Sequence, residues 1–218
     1  MSKIGDIIKS QSKEIDPIIN ELSLMKQLIK ERAHPLDLLR ELISNSGARE
    51  VGATEIKIKY TIDDEGHIFE AIDNGCGMDF TDNKLLPGRL DKFFGLGLST
   101  IVGIKADEFS WKGLGSKLAY QSRRIEIDTW CGSGDAIKVE INEPWSSIER
   151  KLIPKPKVFI YKPEEGRKTG TSIKVFGHPP HRKERPFTVE EIKKFLLHRT
   201  FVGFTQQREN PPKIVLSV

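Results

Sequence analysis

The stretch Glu41–Ala48, "ELISNSGA", decides how the rest of the chain is read. It continues the leucine-rich run "PLDLLRELIS" (35–44), whose apolar residues recur at helical spacing. Pro35 suits the first turn of this helix and Gly47 its C-terminal end. Residues i and i+4 lie on one face, about 40° apart around the axis. Glu41 and Asn45 therefore point together, with Leu38 and Leu42 beside them, while Asp37, Arg40 and Ser44 face another way. The pair stands at the edge of the buried stripe. A carboxylate there is costly unless it is paired or hydrated in a cavity. The plainer alternative is a partly exposed glutamate followed by an asparagine near the helix end, and this segment alone leaves both readings open.

The chain around it has 218 residues, enough for one sizeable domain or two small ones. A hydrophobic share of 37% and a charged share of 30% fit a soluble globular protein. No apolar run reaches membrane length, and "MSKIGDIIKSQSKEID" (1–16) lacks a signal core, so a cytoplasmic protein with no membrane partner is expected. The net charge of +4 does not by itself demand nucleic acid. Positive charge gathers at "HPPHRKER" (178–185) and at Arg123-Arg124, read first as a solvated loop and a strand end. His178 and His181 have too few companions for a metal site. Cys76 and Cys131 form no CxxC pair and are expected as reduced thiols.

Residues 1–34 read as an N-terminal helical extension, with 15–31 the stronger helix. "TEIKIKYTI" (54–62) and "HIFEAID" (67–73) alternate around Asp63–Gly66 and make a hairpin. Residues 74–112 are glycine-rich and poorly periodic, a long loop with helical pieces. A helix is expected from Gly115, then strands at 123–130, 136–142, 157–162 and 170–177. "TVEEIKKFLLHRTFVGF" (188–204) is a helix whose Thr188 and Glu191 form a capping box, and "KIVLSV" (213–218) is a last strand. About six strands, mostly in hairpins, predict an α+β fold: a two-layer α/β sandwich, its mixed and mostly antiparallel sheet covered by helices on one face. A single domain spanning 1–218 is expected, and an apolar strand at the end suggests the N-terminal part of a longer protein.

Three further motifs bear on chemistry. In "EAIDNGCGMD" (70–79), Asp73 ends an apolar strand and meets a glycine turn, where a carboxylate can accept a hydrogen bond from an amino group; an ordinary Asn-Gly turn is the alternative. In "WKGLGSKLA" (111–119), Gly113 and Gly115 precede a helix start, a position that attracts anions, with Ser116 and Lys117 adding a hydroxyl and a cation. The Walker spacing is absent, and "GLGLST" (95–100) lacks the third glycine of a dinucleotide loop. In "KTGTSIKV" (168–175), Thr169 and Thr171 flank Gly170 at a strand entrance.

In this order the motifs resemble the ATP site of the GHKL superfamily, the Bergerat ATP-binding fold, over roughly residues 35–218. Its members include gyrase, the ninety-kilodalton heat-shock chaperone, histidine kinases, and MutL with its MORC relatives. "LLRELISN" (38–45) and "DNGCGM" (73–78) are similar to the chaperone branch, "FFGLGLST" (93–100) and "WKGLGSKLA" to MORC-type members. The resemblance implies that Asn45 binds Mg²⁺ and that Glu41 orients and deprotonates the attacking water. It implies that Asp73 and Thr171 receive the adenine, that Gly75, Gly77 and Met78 let the base approach, and that Gly113, Gly115, Ser116 and Lys117 hold phosphates. Residues 78–112 would be the ATP lid, and the ATP-bound full-length protein a homodimer.

Histidine kinases usually carry Asn where Glu41 stands, which argues against a kinase. The sequence departs from the chaperone and MutL pattern after Asn45, where "SGAR" (46–49) has no Asp. Hydrolysing members also tend to use a lysine from a following domain, so slow turnover is expected of these residues alone. The competing reading is a nucleotide-gated module on DNA or a client protein with little catalysis, "HPPHRKER" being its candidate contact.

Overall fold

The alternation read in 54–62 holds in the computed structural model, which describes residues 22–23, 26–27, 34–83, 85–95, 115–179, 185–200, 202 and 210–218. In β1 (Glu55–Asp63), Ile56, Ile58 and Tyr60 are buried while Lys57, Lys59 and Thr61 face water. The hairpin closes with Asp63 opposite Gly66 of β2 (Gly66–Asp73). The Glu65 N–H donates to Asp63 Oδ1 at 2.8 Å, and Gly66 takes a φ of +124°. β3 (Arg124–Trp130), β4 (Ala136–Asn142), β5 (Lys157–Tyr161), β6 (Gly170–His178) and β7 (Lys213–Ser217) complete a seven-stranded sheet.

The strand order is β5-β4-β3-β6-β2-β1-β7. Every neighbouring pair is antiparallel except β1 with β7, which is parallel. Register aligns Ile58, Ala71, Ile173, Ile127 and Val139 as one row across five strands, and all five are buried. The opposite face carries charged residues, among them Lys59 paired with Glu70 at 3.3 Å and Lys138 with Glu140 at 2.9 Å.

Helix α1 (Leu36–Ser46) covers the apolar face with Leu38, Leu39, Leu42 and Ile43, each at most 1% exposed. Each such side chain contributes roughly 2 kcal/mol of burial. The helix ends where the Gly47 N–H bonds Ile43 O at 2.8 Å; Gly47 keeps a φ of −88°, so no left-handed cap forms. Two further short helices form, α2 (Arg89–Phe94), one of the helical pieces expected within 74–112, and α3 (Pro144–Glu149). The helix expected from Gly115 is a six-residue 3-10 turn, Gly115–Tyr120, pressed into the core by Leu118, Ala119 and Tyr120. Helix α4 (Val189–Arg199) starts at the predicted capping box: the Glu191 N–H reaches Thr188 Oγ1 at 3.2 Å, and the Thr188 N–H reaches Glu191 Oε2 at 2.9 Å. Most of the expected N-terminal extension, "GLGLST" beyond Gly95, Gly113 and the centre of "HPPHRKER" lie outside the described residues. Among the described residues no helix is long and apolar enough to cross a membrane.

One buried polar cluster ties α1 to the sheet. His178, 3% exposed, donates from Nδ1 to Gln121 O at 2.8 Å, and the Pro35 carbonyl at the start of α1 also faces its ring. Burial, with His67 nearby, holds the His178 imidazole down to about 4. As pH falls, the unfolded chain takes up this proton first, near 6.5. The contribution of neutral His178 is therefore full above about 6.5 and lost as pH falls toward 4, a loss of about 3 kcal/mol. Denaturant unfolding across that range should show stability falling with pH, and His178→Phe should flatten the slope. Parallel slopes for the two proteins would contradict this assignment.

Candidate functional site

Asp73 ends β2 with its side chain on the helix-covered face, 8% exposed. A carboxylate so placed needs donors. Oδ1 accepts the Gly75 N–H at 2.9 Å, and Oδ2 accepts the Ser46 hydroxyl at 2.9 Å. Burial pushes the Asp73 carboxyl above its ordinary value; the Gly75, Ser46 and Thr171 donors pull the other way. Each carboxylate oxygen has a second lone pair, so the group keeps acceptor capacity for a ligand.

Asp73 stands opposite Thr171 on β6, and Thr171 opposite Thr129 on β3. These three make one polar row at the end of the apolar face. The two threonine hydroxyls lie 3.0 Å apart, and Thr129 Oγ1 also accepts the Met78 N–H at 2.7 Å. Met78 thus enters the site through its backbone.

The turn between Asp73 and Met78 is fixed from both sides. Asn74 Oδ1 accepts the N–H groups of Thr54 and Glu55, each at 2.9 Å. The Cys76 N–H donates to Val51 O at 2.9 Å, and Arg89 of α2 reaches the Cys76 sulfur and Glu50 O. A Cβ on Gly75 would meet Val51 Cγ1 at 2.3 Å; one on Gly77, where φ is +73°, would meet Trp130 O at 2.2 Å. The space beside both glycines is occupied by the protein itself.

Ser46 follows Asn45 in sequence, so its bond to Asp73 brings the last turn of α1 to the polar row. Asn45 is half-buried one turn beyond Glu41, and the Glu41 side chain is 14% exposed. The Glu41 carboxylate lies against Gly115: a Cβ there would fall 1.8 Å from Glu41 Oε2. Arg40, expected to face away, reaches back to Glu41 Oε1 at 3.2 Å and to Asp37 Oδ1 at 3.2 Å. Helix α1 therefore sets Glu41 against the Gly115 turn and Ser46 against Asp73, with Asn45 half-buried between them in sequence.

Ser116 and Lys117 point elsewhere. The Ser116 hydroxyl donates to Phe93 O at 2.9 Å. The Lys117 ammonium bonds the same carbonyl and Ser116 Oγ, and the residue is fully buried. Burial alone brings its amine down to about 7. Both side chains clamp the end of α2 to the 3-10 turn. Sequence reasoning did not single out Ser46, Thr129 or Arg40 for the site. The register that puts Thr129 beside Thr171 is a long-range fact, and only the adjacency of Ser46 to Asn45 offered a local hint.

No family model and no curated protein matches the sequence. Among solved structures, the chain is similar to the topoisomerase IV ATP-binding domain of Francisella tularensis, solved with a small-molecule inhibitor. The TM-score is 0.56 at 18% identity, with 90% of each chain covered. That likeness shows the fold alone, a mixed α/β fold with a mainly antiparallel sheet and helices on one face.

The glycine contacts give a direct test of how tightly the turn is built. Gly77→Ala meets both a left-handed backbone and the Trp130 carbonyl, whereas Gly134→Ala at φ +69° has nothing within 4 Å. Gly134→Ala should cost about 1 kcal/mol in denaturant unfolding, and Gly77→Ala about 3 kcal/mol or more. Equal costs would show that the turn yields freely.

Proposed function

We propose that this chain is a GHKL-type, Mg²⁺-dependent ATP-binding module that hydrolyses ATP slowly. The observation that carries this reading is the Ser46–Asp73 bond, which joins the Glu41/Asn45 turn to the Asp73–Thr171–Thr129 row. The similarity in fold to an ATP-binding domain supports it. Asp73 accepts a hydrogen bond from the adenine amino group, and Thr171 supports that contact, partly through water. Gly75, Gly77 and Met78 form the lip over which the base enters, and Gly113 and Gly115 offer backbone N–H groups to the phosphates.

Asn45 would supply an amide oxygen to a magnesium ion. Among the described residues no group of three His, Cys, Asp or Glu could hold a metal alone. A single amide suits a magnesium ion that keeps water and phosphate oxygens as its other ligands. When bound, that ion neutralises phosphate charge. Glu41 orients the attacking water and takes its proton, working from a position largely shielded from solvent.

Slow turnover follows from how the nearby cations are engaged. Lys117 is held by Phe93 and Ser116, and Arg40 is shared by Asp37 and Glu41. Arg40 is thus tied to two carboxylates and is not free to meet phosphate charge. ATP-driven lid closure and pairing of two ATP-bound chains would raise the rate, so turnover per chain should increase with protein concentration.

Two variants test the assignment. Glu41→Ala should lower the hydrolysis rate about 10²-fold or more and leave ATP affinity within a few-fold. Asn45→Ala should weaken magnesium-dependent ATP binding at least about tenfold, read by calorimetry. Hydrolysis surviving in Glu41→Ala, or calorimetry detecting no ATP binding to the native chain, would contradict the reading.

A further inference from the structure

A cleft of about 600 Å³ opens between α1 and α4, apart from the Asp73 row. Its volume falls within the range of small-molecule sites. One wall is aromatic: the His34 ring stacks on Phe195 with centroids 5.3 Å apart and an interplanar angle of 14°, and Phe187 stands 5.9 Å from the same ring. The Leu36 N–H donates to His34 Nδ1 at 3.2 Å, so the neutral ring carries its proton on Nε2 and offers a donor.

The charge lining the cleft is mainly cationic in what it leaves free. Asp37 is taken by Arg40, and Glu191 by Arg185 at 2.9 Å. Lys194 and Arg199 lie on exposed positions of α4 and have no carboxylate partner among the described residues. An aromatic wall beside two free cations fits a flat ring bearing a phosphate or carboxylate. Arg40 also lines the cleft while bonding Glu41 at 3.2 Å, so an anion in the cleft competes with Glu41 for the same guanidinium.

We propose that the α1–α4 cleft binds a small aromatic anion and that its occupancy is coupled to Glu41 through Arg40. The binding half stands without any reading of the nucleotide site. The coupling half rests on Glu41 acting as the base. Drawing Arg40 away frees the Glu41 carboxylate from this ion pair to meet the attacking water, so occupancy should accelerate hydrolysis. By linkage, any effect of cleft occupancy on nucleotide affinity is matched by an equal effect of nucleotide on the cleft.

Phenyl phosphate, titrated calorimetrically into the nucleotide-free chain, is the probe. Binding should weaken at least about tenfold in the double variant Lys194→Glu/Arg199→Glu, stay unchanged in Asn45→Ala, and exceed that of inorganic phosphate. No binding at millimolar probe would overturn the proposal. So would binding indifferent to the α4 pair, binding lost in Asn45→Ala, or equal affinity for inorganic phosphate. Both α4 side chains are exposed, so a thermal melt matching the native chain checks that the double variant folds. Coupling is read separately: phenyl phosphate should raise the ATP hydrolysis rate a few-fold in the native chain and not in Arg40→Gln. Binding without any rate change would overturn the coupling and leave the nucleotide reading to its own test.

Discussion

The structure depends on keeping one carboxylate, Asp73, out of water at the end of a strand. Burial alone would drive it toward the neutral acid, and three donors oppose that. Each donor imposes a constraint. Ser46 can reach Asp73 only if α1 ends over β2. The Gly75 N–H can reach it only if the turn folds back against Val51, which leaves no room for a side chain at 75. Gly170 faces the same strand end, where a Cβ would sit 2.1 Å from the Asp73 carbonyl oxygen. The glycines around Asp73 serve this close packing of backbone before they serve any ligand.

Helix α1 divides its labour by face. The leucines fix its position on the sheet through burial. That leaves Glu41 and Asn45 on a side where Gly115 must be small and where Arg40 provides the neighbouring charge. A buried lysine, Lys117, holds the 3-10 turn carrying Gly115 to the end of α2. The acid is thus positioned through two links, one along its own helix and one across the turn it abuts.

Much of this was legible in the residues because it is local. Period-two alternation marked the strands, the helical spacing of leucines marked α1, and the Thr188 capping box marked where α4 begins. What escaped the sequence depends on partners distant in the chain. Thr129 looks like an ordinary strand threonine until register sets it beside Thr171. Lys117 looks like a surface cation ready for phosphate, yet the packing of Leu118 and Tyr120 carries it inward to Phe93. The parallel seat of β7 beside β1 likewise has no signature within either strand. Val51 and Trp130 leave no room for a side chain at 75 or 77, a contact that spacing could not reveal.

The central claim is that Asp73 reads the adenine amino group, and base selectivity tests it most directly. Guanine presents a carbonyl oxygen at the position of that amino group, which would set an acceptor against a buried carboxylate. Calorimetric titration of ADP and GDP, with unfolding midpoints measured alongside, should show the native chain preferring ADP by at least about tenfold. Asp73→Asn should bring the two affinities within a few-fold of each other. Equal affinities in the native chain, or a preference untouched in Asp73→Asn, would contradict the account.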